Sequence, residues 1–402
     1  MDLGAFRSLL TPAGQGALQA AAALEPREVD YLAHFQALRR RYPQELARAA
    51  LEIAILRAEA GAKFPFAEKM YFTREALEQA SAWQVADYRA GRYRGFDFIL
   101  DLGCSLGGDT LALAGAALTL GIDRAPLRLC MAQANLAALG LDQRATLLQA
   151  DLSQPLPLGG LSGEVGLFFD PARRTGGRRV YSVKAYQPPL EIVLQWLPAF
   201  PALGVEISPG ARLEELGGYD AEVEFISLGG ELKEAMLWFG PLKSAERRAT
   251  VLPGPHTMTG SGEQPPPALS EPLDWLYEPD PAVLRAGLVR ALGARLEAAQ
   301  LDPDIAYLTA AEVVITPFAR LWRVEAWFPF GLKRLREYLR RRGVGRLTVK
   351  KRGSPWQPEA LIRELRLHGE AERTLFLTHL RGRPIAILAE PQGEFQLLNK
   401  GR

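Results

Sequence analysis

Two cysteines in 402 residues, Cys104 and Cys130, leave no material for a disulfide scaffold. Neither stands in a C-x-x-C or Cys/His array, which argues against a structural zinc site, and four histidines argue against a His-rich metal centre. No apolar run approaches the ~18 residues that a membrane span needs. The N-terminus lacks the basic-then-apolar order of a secretory signal, so a cytoplasmic protein with no membrane partner and no metal is expected. Charge of one sign is missing too. The 48 basic and 46 acidic residues leave a formal net charge of +2, so any case for a nucleic-acid partner has to be local. The rest, 48% apolar and 23% charged, is ordinary globular composition in a chain long enough for two or three domains.

The most informative stretch is 98–123. An apolar run, Phe98-Ile-Leu100, reads as a buried strand that ends at Asp101 and passes through Gly103, Gly107 and Gly108 into a helical stretch, Thr110–Ala117. A second short strand then closes on Asp123, 22 positions after Asp101. This is the order of a βαβ unit holding a nucleoside-like ligand. The glycines let the backbone approach it, and the second acid accepts ribose hydroxyls. The spacing Gly-x-x-x-Gly-Gly is not the G-x-G-x-x-G that seats a dinucleotide pyrophosphate, which speaks against a nicotinamide dehydrogenase.

Around this unit, residues 1–94 show apolar residues at three-to-four spacing and read as a helical domain, with a helix capped at Thr73. Residues 95–250 alternate strands (98–102, 118–122, 146–149, 165–169, 203–207) with helices (110–117, 126–139, 190–197), the mark of a doubly wound, mostly parallel sheet. A hairpin about Gly229-Gly230 would close it. Residues 251–274 are rich in Gly, Pro and Ser and read as a linker. Residues 275–402, with helices expected at 281–299 and 331–342 and strands at 322–328, 346–350, 373–379 and 383–389, suggest a small α+β domain of ferredoxin-like type.

Two further strand ends carry acids, Asp151 and Asp170. The second opens Asp170-Pro171-Ala172-Arg173-Arg174 after the apolar run 165–169. Lys333, Arg334, Arg340, Arg341, Lys350, Lys351 and Arg352, with Arg336, Arg342 and Arg346, crowd twenty positions that hold one acid, Glu337. Such a run can face phosphates or be a solvated helix face.

The stretch Asp101–Asp109, together with Asp170-Pro-Ala-Arg-Arg174, Ser208-Pro-Gly210, Ser227-Leu-Gly-Gly-Glu231, Tyr277-Glu-Pro-Asp-Pro-Ala282 and Val349-Lys-Lys-Arg-Gly353, resembles the bacterial class I S-adenosylmethionine (SAM)-dependent methyltransferases with a C-terminal THUMP-like domain. Met70-Tyr-Phe-Thr-Arg-Glu75 is distantly similar to the segment before the core of trimethylguanosine synthases. The resemblance implies a Rossmann-like sheet with a helical N-terminal extension and SAM as cofactor. Asp101 would lie beneath the cofactor, Gly103, Gly107 and Gly108 would wrap it, and Asp123 would take the ribose. Asp151 would face the adenine amino group, with Leu152 padding the ring. Asp170 and the Pro171 carbonyl match the (Asp/Asn)-Pro-Pro-aromatic signature of base-amine methyltransferases, with Ala172 and Arg173 replacing the second proline and the stacking ring. Arg173 is the third catalytic candidate, by phosphate contact or guanidinium stacking. Neither cysteine lies in a Pro-Cys context, which argues against a cysteine nucleophile on a pyrimidine. RNA is the partner these features favour. A protein or small-molecule acceptor, or a non-catalytic RNA-binding role on the same scaffold, stays open.

Overall fold

The computed structural model describes residues 1–154, 164–172, 174–175, 178–179, 181–261, 265 and 268–390. It divides into two compact units, Met1–Val223 with Lys233–Ser244, and Glu224–Leu232 with Ala245–Arg402.

The first unit begins with helices Leu3–Leu9, Pro12–Ala22, Tyr31–Leu38 and Gln44–Ala60. Asp2 and Thr11 cap the first two by accepting from the Ala5 and Gly14 amides. The long fourth helix buries Leu46, Leu51, Ile53 and Leu56 in a core shared with Phe64, Met70 and Phe72. The extended piece 70–72 leads into helix Arg74–Gln79, capped by Thr73 as its sequence predicts. Helix Trp83–Ala90 follows.

Strands β1 (Phe98–Leu102), β2 (Leu118–Asp123), β3 (Ala145–Gln149), β4 (Val165–Phe169), the two-residue pair β5 (Arg174–Thr175) and β6 (Arg178–Arg179), β7 (Ala202–Ile207), β8 (Ala221–Leu228) and β9 (Glu231–Phe239) complete this part of the chain. The order within the first unit is β9-β7-β4-β1-β2-β3, parallel except for β9. Helices Gly108–Ala116 and Pro126–Ala138 make the crossovers from β1 to β2 and from β2 to β3. Chain direction across the sheet reverses between β1 and β4, the switch point at which open α/β sheets bind ligands beyond their carboxyl ends. The helix expected at 190–197 is a 3₁₀ turn, Leu190–Ile192, plus four residues, Val193–Trp196.

Tyr93 wedges under this sheet and donates to the Leu167 carbonyl at 2.7 Å. Room for its side chain comes from Gly166, where a Cβ would stand 2.7 Å from Tyr93 Cδ1, and from Gly204, where it would collide with the Tyr93 hydroxyl and stand 2.5 Å from Trp238 Cζ3. Gly204→Ala is therefore expected to overpack the sheet by about 1–3 kcal/mol. A melting temperature lowered by several degrees checks it.

The second unit holds β10 (Arg247–Leu252), β11 (His256–Gly260), β12 (Trp275–Pro279), β13 (Ala299–Asp302), β14 (Ile305–Ala310), β15 (Ala319–Pro329), β16 (Val344–Lys351), β17 (Ala371–Leu380) and β18 (Arg383–Ala389). Strands β10 and β11 pair antiparallel, so the stretch expected as linker carries a strand. The other seven form a sheet ordered β13-β14-β12-β15-β18-β17-β16. Leu335 and Leu339 from helix Leu332–Arg341, and Leu361 and Leu365 from helix Pro358–Leu365, bury against this sheet with Leu375 and Leu388. The single helix expected at 281–299 is two, Pro281–Ala286 and Val289–Arg295, parted at Gly287 with φ +74°.

Candidate active site

Asp101 is the fourth residue of β1, flanked by Gly121 of β2 and Phe168 of β4, and is 1% exposed. Its Oδ2 accepts from the Thr110 hydroxyl at 2.5 Å, while Oδ1 has no hydrogen-bond partner among the described residues. Burial, reinforced by the nearby Asp109 carboxylate, raises its pKa to about 8 against the pull of Thr110 and the Arg89 guanidinium. A buried acid with one empty oxygen is a costly feature unless a ligand completes it.

The loop after it wraps the end of β2. Gly103 and Cys104 both donate to the Ile122 carbonyl, at 2.8 and 3.0 Å, and Gly107 donates to Cys104 at 2.8 Å. Gly103 and Gly107 sit at φ +95° and +85°. A Cβ at Gly103 would stand 2.7 Å from the Asp170 carbonyl oxygen, and one at Gly107 would stand 3.3 Å from Ala132. At Gly108, the first residue of the helix, a Cβ would make only ordinary contact with Phe64, so space alone does not demand glycine there. Cys104 is buried, which pushes its thiol pKa well up and disqualifies it as a nucleophile.

Asp123 closes β2. Its carboxylate accepts from the Ser105 amide at 3.0 Å and the Ala125 amide at 2.8 Å, which leaves lone pairs for two hydroxyls. Asp151 lies two residues past Gln149, the β3 partner of Asp123. It is exposed and begins a turn, accepting from the Ser153 amide and hydroxyl, and these bonds hold its pKa below the usual carboxylate value. Leu152 beside it is half-buried.

Asp170 follows β4. Its amide donates to the Leu102 carbonyl at 3.1 Å, so with the Gly103 approach the glycine loop and Asp170 share one backbone seam. Pro171 is buried. Ala172 exchanges two backbone hydrogen bonds with Gln187, at 3.2 and 3.1 Å, fixing where Asp170-Pro171 points. Arg173 lies outside the described residues.

In the second unit Lys333, Arg334, Arg340 and Arg341 are exposed along one helix. Arg334 lies over the Phe328 ring and Arg340 donates to the Arg366 carbonyl. Lys350, Lys351 and Arg352 are half-buried. Lys350 and Arg352 ion-pair with Glu278, and Lys351 donates to Gln357.

Three polar residues that sequence reasoning passed over prove to organise the site. Thr110 holds Asp101. Asn135, buried in helix Pro126–Ala138, accepts from the Tyr71 amide and donates to the Tyr71 and Leu106 carbonyls, tying the N-terminal extension to the glycine loop. Arg89 is 1% exposed among Asp109, Glu206 and Glu234 and lies over the Phe168 ring. An asparagine on an otherwise apolar helix face was the available signal for the second. Among the described residues, no group of three or more His, Cys, Asp or Glu could hold a metal ion, and no helix is long and apolar enough to cross a membrane.

A family model for a THUMP domain-like region matches residues 319–391, and a domain of unknown function matches residues 2–60. A solved structure from Porphyromonas gingivalis W83, described provisionally as a methyltransferase, superposes with a TM-score of 0.76. It is 23% identical and covers 92% of this chain and 100% of its own, which shows the fold. Proteins from two strains of Mycobacterium tuberculosis, described as uncharacterized SAM-dependent methyltransferases, are 37% identical over 314 residues. The match spans 77% of this chain and 84% of theirs. The chain belongs to the SAM-dependent methyltransferases.

Its first unit is accordingly a Rossmann-like class I methyltransferase sheet with a helical N-terminal extension, and its second an α+β unit with the THUMP-like region. SAM is the methyltransferase's cofactor. The residues present fit such a group: an orphaned buried carboxylate oxygen at Asp101, a left-handed glycine cradle and a half-used carboxylate at Asp123.

Proposed function

We propose that this methyltransferase modifies a base amino group of RNA. Asp101, Gly103, Gly107, Gly108, Asp123, Asp151 and Leu152 hold the cofactor, which supplies an electrophilic methyl group when bound. The reading rests on one observation above the others, the backbone seam between Leu102-Gly103 and Asp170 at the switch point. Displacement at a methyl carbon needs an aligned amine more than a nucleophilic side chain. The Asp170 carboxylate and the Pro171 carbonyl are two acceptors on a fixed turn. They take the two N–H groups of an exocyclic amine and leave its lone pair facing the donor. Asp170 is also placed to receive the proton that the methylated nitrogen sheds. Arg173, two positions past Pro171, is proposed to meet a phosphate or to stack by its guanidinium plane.

RNA is favoured by the THUMP domain-like match and by the four exposed cations Lys333, Arg334, Arg340 and Arg341. The deciding experiment offers labelled SAM and the protein to total RNA from cells that lack it. The expected result is label in one nucleoside, lost with Asp170→Ala; wild-type protein that labels no RNA overturns the reading. In parallel, Arg340→Glu with Arg341→Glu is expected to weaken RNA binding at least tenfold and to flatten its salt dependence by about two phosphate contacts. Affinity measured across a salt series checks this, with SAM affinity unchanged.

A further inference from the structure

The sequence gives Asp170-Pro171 no aromatic residue where a flat acceptor would need one, since Ala172 and Arg173 occupy the following positions. We infer that Tyr181 supplies that surface, and that the acceptor base stacks on its ring. The inference rests on the RNA reading above and deepens it.

Tyr181 is 54% exposed, whereas among the described residues every other Phe, Tyr and Trp is buried or half-buried. Its ring also has a backbone seat. It packs on Gly210, where a Cβ would stand 2.8 Å from Cδ1 and 3.0 Å from Cε1, so only glycine leaves the ring its place. The residues after it are held by Glu215, whose Oε2 accepts from the Ser182 hydroxyl at 2.9 Å and the Val183 amide at 3.0 Å. Gly210 belongs to the Ser208-Pro-Gly turn just past β7. That turn is fastened by the Ser208 amide donating to the buried Tyr186 hydroxyl at 2.9 Å and the Ala211 amide donating to the Ser208 carbonyl at 2.9 Å.

Two links bring this ring to the reacting end of the sheet. Strand β7 lies beside β4, with Val205 opposite Phe169, so the turns holding Gly210 and Asp170 leave neighbouring strands in the same direction. The chain just after Tyr181 returns to Asp170-Pro171 through the Ala172–Gln187 pair. One side of the ring is therefore backed by glycine backbone, and its exposed surface is open at the same end of the sheet as the proposed amine acceptors. An exposed aromatic ring forfeits burial, and a stacked base would restore it. The arrangement also accounts for the tolerance of Ala172: a distant segment carries the platform.

The test uses the full chain with Tyr181→Leu, Tyr181→Phe and Tyr181→Trp. Leucine keeps an apolar cover on Gly210 without a π face. Initial rates are measured against the concentration of total RNA from cells lacking the protein, at saturating SAM, and SAM affinity is measured by calorimetry. Tyr181→Leu is expected to lower kcat/KM for RNA ten- to a hundredfold, through KM first, while Phe and Trp stay within about threefold of wild type and all variants bind SAM normally. Tyr181→Leu within twofold of wild type overturns this inference and leaves the RNA reading standing. Loss of SAM binding in the leucine variant would make the ring a structural prop and overturn it as well. A wild-type protein that methylates no RNA overturns the RNA reading and this inference with it.

Discussion

Asp101→Asn is expected to yield a protein that melts higher and binds SAM at least tenfold more weakly. The two effects share one cause. In the folded chain the carboxyl is raised to about 8 from an ordinary value near 3.8, so between roughly pH 4 and 8 the folded state holds a proton that the unfolded chain has lost. Stability therefore falls as pH rises through that window. At about 1.36 kcal/mol per unit the penalty approaches an upper limit of roughly 4 kcal/mol near pH 7. Asparagine removes it while its side-chain carbonyl still accepts from Thr110, which now bonds Asp101 Oδ2. At pH 5 the two should melt within a few degrees of each other, and at pH 8 the variant should melt higher by a clearly larger margin. The carboxylate lost in the variant is also the group proposed to face the cationic cofactor, so SAM affinity of the wild type should climb with pH toward 8 and then level. Calorimetry of melting and of binding at pH 5, 7 and 8 reads both. An Asn variant that melts no higher than wild type at pH 8 would mean that Asp101 Oδ1 is not the unpaid group its geometry shows.

Strands β1 and β4 were legible to the residue because each is a buried apolar run ended by a chemical break, Asp101-Leu-Gly103 and Asp170-Pro171. Asp101 and Asp170 stood out as candidates for the same reason: an acid at a strand end has no packing role to explain it away. Features that depend on distant partners were not. The prolines and glycines of 252–272 hid the pairing of β11 with β10, which lies in backbone register rather than side-chain pattern. The apparent 281–299 helix ignored Gly287, whose left-handed backbone ends one helix before the next begins. Lys350 and Arg352 looked like surface cations because Glu278, 72 residues before Lys350, could not be known to reach them. Arg89 was the largest omission. In its own helix it passes for a solvated cation, and only Glu206 and Glu234, set in the apolar runs 203–207 and 234–239, hinted that buried carboxylates needed one.

Arg89 should accordingly be the costliest single change in the first unit. Its guanidinium forks to Asp109 beside the glycine loop, to Glu206 on β7 and to Glu234 on β9, with Ser81 donating to Glu234 at 3.1 Å. Burial opposes its charge, yet the three carboxylates together hold it well above the ordinary arginine value. Arg89→Met keeps most of the volume and removes the only cation among the described members of that cluster. Breaking a buried pair from one side costs about 3–5 kcal/mol, because the carboxylates lose the cation that offsets their burial. For a unit of this size that lowers the melting temperature by about 10 °C or more at pH 8. Buried carboxylates that have lost a cation take up protons as pH falls, so the deficit should shrink toward pH 5, opposite in sign to a simple loss of packing. The same change removes a charge that now restrains the Asp101 pKa, so any folded Arg89→Met protein should bind SAM more weakly and need a higher pH to do so. Glu206→Gln with Glu234→Gln separates charge from shape. If electrostatics dominates, the triple variant recovers most of the melting temperature lost by Arg89→Met alone. If it does not recover, the guanidinium's seat over Phe168, 4.9 Å from the ring centre, is what the sheet depends on.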